Sequence, residues 1–321
     1  MRPPSRPTTA RTPRHARHAR AAGLTAAGRY IPLHLRHPLA KDVVNPRIAL
    51  LAAAAAMLTA ACGGGTGVTA PTIAPARTYQ LAGFSPAGTA SSTSPVHLSF
   101  TIQKPDGKPL TAYRTGSGPH TGVHVIIVRD DLSRIIHLHP PIGSDGRVTE
   151  DVRFPGGGRY ELVVDAYPQP VGGMPTNFQL KRSITVAGPP PPAPMPPTGL
   201  RQTVDGVTFQ LLQPPRVHAL QAALLNMRVT KGGRPVTFEP WFGALGHAIF
   251  FRRGSLTYFH THICGQATAA CASGSPISGV SQRPGLLSVG VLLPQKGTWR
   301  LFLQCKIDGT VVTVPYTLKV V

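Results

Sequence analysis

Six histidines carry the clearest chemical signal in this sequence. His124, His137 and His139 form one set, and His247, His260 and His262 form a second. The spacing is the same in both: thirteen residues, then two. Neutral imidazole ligates Cu(II), Zn(II) and Ni(II), so an HxH pair facing a third histidine makes a three-nitrogen set. The expected cofactor is Cu(II) or Zn(II), with one site per set. A second reading stays open, in which the histidines are structural rim residues hydrogen-bonded to carbonyls. The same face carries Ile126, Val128 and Ile135 in one set, and Ile249, Phe251, Leu256 and Tyr258 in the other. His97, His120 and His218 have no counterpart elsewhere in the chain and read as surface or loop residues.

To bring three imidazoles together, each set needs a β-hairpin. The first histidine lies on an apolar run that turns through polar residues into the run bearing the HxH. With turn centres at Asp130-Asp131 and Arg253-Gly254, His124 falls opposite His137 and His247 opposite His260. Directly opposed residues have Cβ atoms about 4.5–5.5 Å apart, and a residue two positions on shares the same face.

The hairpins belong to a longer repeat. Gly107-Lys108-Pro109-Leu110 matches Gly233-Arg234-Pro235-Val236, and GVHVIIVRDDLSRIIHLHP (122–140) matches LGHAIFFRRGSLTYFHTHI (245–263). Gly158-Arg159-Tyr160-Glu161-Leu162 matches Gly297-Thr298-Trp299-Arg300-Leu301. A period above about 100 residues indicates duplicated domains rather than a solenoid. Strands are expected near 96–103, 122–129, 133–139, 148–154, 159–166 and 179–186. In the second copy they are expected near 206–212, 222–230, 246–252, 256–262, 287–293, 298–305 and 309–319. Short strands between Gly and Pro turns predict an all-β chain with two tandem antiparallel β-sandwich domains, immunoglobulin-like or cupredoxin-like. The expected modules are 79–187 and 200–321, joined by a Pro-rich linker at 188–199.

The N-terminal region follows a different logic. Residues 1–42 hold nine Lys or Arg and one acidic residue, and read as a disordered basic leader or a misassigned start. Residues 43–61 have the form of a signal peptide, with an apolar run from Ile48 to Ala61. That run is shorter than the about 20 residues needed to span a bilayer. Leu58-Thr59-Ala60-Ala61-Cys62 resembles a bacterial lipobox, which implies lipidation of Cys62 and a cell-membrane location on the extracytoplasmic face. Residues 62–78 would be a flexible tether. Beyond residue 61 the chain carries 23 basic and 11 acidic residues. That balance favours anionic surfaces, and no nucleic-acid-binding signature accompanies it.

Outside the cytoplasm disulfides are permitted, and Cys264 and Cys271 flank a short insertion just after His262, so they are the expected pair. Cys305 is left over. The absence of a histidine after Cys305 argues against a blue-copper His2Cys set.

The segments HVIIVRDDLSRIIHLHP with FPGGGRYELVVD, and GALGHAIFFRRGSLTYFHTH with KGTWRLFLQ, resemble small secreted bacterial β-modules of the YtkA-like kind. The resemblance implies a sandwich fold and an association with copper handling, without an established activity. The expectation is an exported, lipid-anchored metal-binding protein acting in binding or delivery, not an enzyme. Its partners would be the membrane, through the lipid, and another envelope protein or an anionic envelope polymer. The alternative is a structural or adhesion module with structural histidines.

Overall fold

Alternation builds several of the strands. In the segment ALLNMRVTK, Leu225, Met227 and Val229 are buried while Leu224, Asn226 and Arg228 are exposed, the period-2 pattern of a sheet with one covered face. The computed structural model describes residues 78–116, 118–170, 177–191, 199–264 and 280–321. The basic leader, the signal peptide and Cys62 lie outside the described residues, as do Cys271 and residues 192–198 of the Pro-rich linker.

The fold is all-β, with seventeen strands and no helix among the described residues. In the first half these are β1 (Gln80–Ser85), β2 (Ala90–Ser91), β3 (Val96–Gln103), β4 (Val123–Arg129), β5 (Ile135–Leu138), β6 (Arg147–Val152), β7 (Gly158–Ala166) and β8 (Phe178–Ala187). The second half contributes β9 (Arg201–Val204), β10 (Val207–Leu211), β11 (Ala223–Lys231), β12 (Arg234–Pro235), β13 (Gly246–Arg252), β14 (Tyr258–Ile263), β15 (Leu286–Val291), β16 (Gly297–Ile307) and β17 (Thr310–Val320). Every strand expected from the sequence appears, within a residue or two at most ends. The short strands β1, β2, β9 and β12 were not anticipated.

Four sheets result. In the first half β1-β3-β6 faces β2-β8-β7-β4-β5. Phe100, Ile102 and Val148 from one sheet pack with Val125, Ile127, Leu162 and Val164 from the other. In the second half β12-β11-β10-β9, with β15 also on β11, faces β14-β13-β16-β17. Phe209, Met227 and Val289 pack there with Phe250, Trp299, Leu301 and Val314. Each sandwich thus has its own core.

β4 and β13 depart from alternation. Six of their seven residues are buried in each case, so both faces of each strand are covered. Val123, Val125 and Ile127 point into the first core, and Ala248 and Phe250 into the second. The opposite faces meet each other. Ile126, Val128, Leu132 and Val163 form a third apolar cluster with Ile249, Phe251, Tyr258 and Phe302. The sheet β2-β8-β7-β4-β5 therefore packs on the sheet β14-β13-β16-β17. Polar contacts cross the same interface: Lys181 Nζ donates to the Leu256 carbonyl at 2.7 Å, and Arg300 Nε to the Leu132 carbonyl at 3.3 Å.

The repeated glycines have a steric role. Gly158 and Gly297 open β7 and β16 with φ of 138° and 129°. A Cβ there would come within 2.7 Å of Arg129 Nε or 3.1 Å of Arg252 Nε. Glycine accepts this backbone conformation and leaves room for the guanidinium.

Candidate metal centre

The two hairpins set the register of the histidines. Arg129 N–H bonds the Arg134 carbonyl at 3.0 Å, and Arg252 N–H the Thr257 carbonyl at 2.9 Å. Each loop therefore has four residues, centred one position later than the sequence reading placed it. Ile126, not His124, lies opposite His137, and His247 lies opposite His262 rather than His260. The slip is two residues, so parity is kept and all the histidines stay on the expected face. Continuing the first register puts His139 opposite His124, and their rings stack at 3.9 Å and 25°.

That face is the interface between the sandwiches, so the two sets are not two separate sites. His124 lies 5.5 Å from His260 and 6.0 Å from His262, ring centre to ring centre. His137 lies 5.0 Å from His247 and 5.2 Å from His260. Among the described residues, three trios have ligand atoms within 4.8 Å of one another: His124-His137-His139, His124-His260-His262 and His137-His247-His260. The first is one of the expected sets. The other two draw on both halves of the chain, and the expected set His247-His260-His262 is not among the three. The expectation of one independent centre per module gives way to a single composite cluster, because the face that carries the histidines is buried against its own duplicate.

Hydrogen bonds settle several tautomers. Gln304 Nε2 donates to Thr313 Oγ1 at 3.0 Å, which turns Oε1 toward His137. His137 Nδ1 donates to that oxygen at 3.0 Å, leaving the Nε2 lone pair for the cluster, 3.3 Å from His139 Nε2. His247 Nε2 donates to the Trp241 carbonyl at 2.9 Å. Its Nδ1 therefore accepts from His260 Nε2 at 3.2 Å, and the lone pair of His260 is on Nδ1. Fixing a ligating ring by bonding its second nitrogen is the usual arrangement around metals. Here the partner of His137 comes from the other sandwich.

Among the described residues, four buried imidazole nitrogens have no partner: Nδ1 and Nε2 of His124, Nδ1 of His260 and Nε2 of His262. All belong to the trio His124-His260-His262. A buried polar group left unsatisfied costs about 1–3 kcal/mol. A bound cation would satisfy such nitrogens.

Electrostatics keep the rings neutral, the form that ligates. Burial, then the neighbouring His139 and His137, holds His124 well below the ordinary histidine value. Burial likewise leads for His137, His260 and His262, with nearby imidazoles adding to it. His139 is lowered to about 3 by burial and His247, and His247 to about 4 by burial, against the pull of the Trp241 carbonyl.

The rim was only partly foreseen. His120, expected to be an ordinary surface or loop residue, is half-buried, stacks on Tyr167 at 5.5 Å and meets His262 edge-on at 4.9 Å. It has no duplicate, so the repeat argument passed over it. Phe242 stacks on His139 at 3.7 Å, and Trp241 packs against His137 and His247. Asp165 sits opposite His124, and Gln304 opposite His247. Asp165 accepts from Asn177 at 2.9 Å and from Tyr167 and Tyr258 at 3.3 Å. Burial raises its carboxyl to about 6. Cys264 is disulfide-bonded, while its expected partner Cys271 lies outside the described residues. Cys305 is a free thiol buried in the second core.

A family described as a domain of unknown function (DUF8832) matches residues 202–321. Among curated proteins no relative matches the chain. Three solved structures resemble it remotely. One is a Corynebacterium diphtheriae protein described as membrane anchored, at 9% identity and a TM-score of 0.20, with 75% of this chain and 57% of that one covered. Another is invasin, described as a bacterial integrin-binding protein, at 15% identity and a TM-score of 0.19, with coverages of 74% and 38%. The third is Escherichia coli alpha-2-macroglobulin, at 10% identity and a TM-score of 0.23, with coverages of 76% and 16%. This chain spans less than two thirds of the length of each. Likenesses this remote assign no function.

Proposed function

We propose that the chain is an extracytoplasmic, lipid-anchored protein that binds a transition-metal ion, Cu(II) or Zn(II), between its two sandwiches. The observation that carries this reading is the trio His124-His260-His262, whose members come from both halves and all hold buried ring nitrogens with no partner. The donors are neutral imidazoles, which suits these ions. The export and anchoring part rests on the lipobox-like segment ending in Cys62. Binding, sequestration or delivery is favoured over catalysis because His124 is fully buried, a setting for an ion rather than for a substrate. Delivery would engage another envelope protein, and the basic balance of the chain suits an anionic envelope polymer near the membrane.

A structural role is favoured at His247, whose two ring nitrogens bond the Trp241 carbonyl and His260. It leaves the buried nitrogens of His124 unexplained. The test is calorimetric titration of the full chain with Cu(II) and with Zn(II). Wild type should bind tightly, and His260→Ala should weaken binding by more than about 100-fold, beyond the about 10–100-fold cost of losing an outer-shell partner. No binding by wild type would overturn the reading in favour of structural histidines.

A further inference from the structure

The three trios overlap in a particular way. Any two of them share one histidine: His124 joins the first and second, His137 the first and third, and His260 the second and third. Two ions can therefore occupy two trios only if the shared imidazole uses both of its nitrogens. Hydrogen bonding decides which ring can do so. His137 Nδ1 is committed to Gln304. His260 Nε2 is committed to His247, which the Trp241 carbonyl holds in place. His124 alone among the three has both nitrogens buried and without a partner.

We propose that the cluster is a two-ion centre in which His124 bridges one ion held with His137 and His139 to a second held with His260 and His262. This deepens the metal-binding reading and rests on it. The remaining histidine, His247, then keeps its bonds to Trp241 and His260 and acts as a positioning residue. In bridging, the N–H bond of His124 breaks and an N–metal bond forms at that nitrogen. The proton goes to solvent, and no oxidation state changes when Cu(II) or Zn(II) is the ion. The arrangement also accounts for the burial of a ring that no tautomer can satisfy, since one N–H is left without an acceptor whichever nitrogen bears it.

The chemistry makes the centre visible. Two Cu(II) ions joined through one imidazolate couple antiferromagnetically, so at low temperature their electron paramagnetic resonance signal falls far below the copper bound. The experiment is Cu(II) titration of the full chain, with bound copper and spin counted on the same samples. Wild type should bind two equivalents with most of the signal lost. His139→Phe, which keeps the stack on Phe242, and His139→Ala should each bind one equivalent with the full signal of an isolated Cu(II). His247→Ala, which removes a positioning residue, should weaken copper binding by about 10–100-fold yet leave the two ions coupled once bound. One equivalent in wild type, or two with undiminished signal, would overturn the bridge and leave the metal-binding reading intact. No copper bound at all would overturn that reading as well.

Discussion

The interface between the two sandwiches has two halves with opposite character. Near the hairpin loops it is apolar: Val128, Leu132 and Val163 meet Phe251, Tyr258 and Phe302. At the other end of the same strands it is a block of imidazoles. The apolar half needs nothing from outside, because its area is removed from water when the halves dock, at about 25 cal/mol per Å². The imidazole half holds buried nitrogens with no partner and rings that must stay neutral. One half holds the sandwiches together; the other spends part of that stability on a cluster whose unsatisfied donors and acceptors suit an ion. The proposed ion site lies where the docking is least self-sufficient.

The largest effect should come from the self-sufficient half. Phe251 is fully buried in the interface cluster, and Phe251→Ala should destabilise the metal-free protein by about 3–5 kcal/mol. Urea unfolding with a chelator present measures this. The loss should be the same at pH 7 and pH 5, since no titratable group is removed. A loss under about 1 kcal/mol would mean that docking depends on the histidines after all.

The imidazole half should respond to acid instead. All six cluster histidines are held below their ordinary value, so the unfolded chain takes up protons before the folded chain does. Stability is then present above the unfolded value near 6.5 and is lost as pH falls below it. His139 and His247, held at about 3 and about 4, account for a loss on the order of 4 kcal/mol between pH 7 and pH 5. Asp165 works the other way. Its carboxyl, raised to about 6, is protonated first in the folded state and returns about 1 kcal/mol over the same interval. Metal-free protein should therefore melt markedly lower at pH 5. A flat profile would show that the imidazoles are hydrated rather than buried.

The contrast between the halves also shows what local sequence conveys. Alternation is a nearest-neighbour property, so the main strands and the duplicated hairpins could be read directly. The face of each histidine survived a register error because a slip of two residues preserves parity. The error came from the loops, where the acidic pair Asp130-Asp131 read as the turn centre while the four-residue loop runs on through Leu132 and Ser133. Short strands such as β2 and β12 have too few residues to alternate. The meeting of the two histidine sets is long-range and has no local period. One signal did point to it: the apolar runs at 125–128 and 248–251 mark strands covered on both faces, and His124 and His247, the first histidine of each set, lie on the outer side of those strands.

The smallest expected effect separates the halves most sharply, because it compares two residues on the same face of β4. Ile126→Ala should cost about 2–5 kcal/mol, as for any buried aliphatic truncation. His124→Leu, two residues away and equally buried, should leave the metal-free protein within about 1 kcal/mol of wild type. It removes an imidazole whose buried N–H has no acceptor, a defect costing about 1–3 kcal/mol, and the imperfect fit of Leu costs less than about 1.5 kcal/mol in return. Copper binding should be lost at the same time. Chemical denaturation with and without Cu(II) reads both effects on one sample. If His124→Leu lost as much metal-free stability as Ile126→Ala, His124 would be making a contact that the fold depends on. The imidazole half would then be as self-sufficient as the apolar half, and the case for an ion would fail at its central residue.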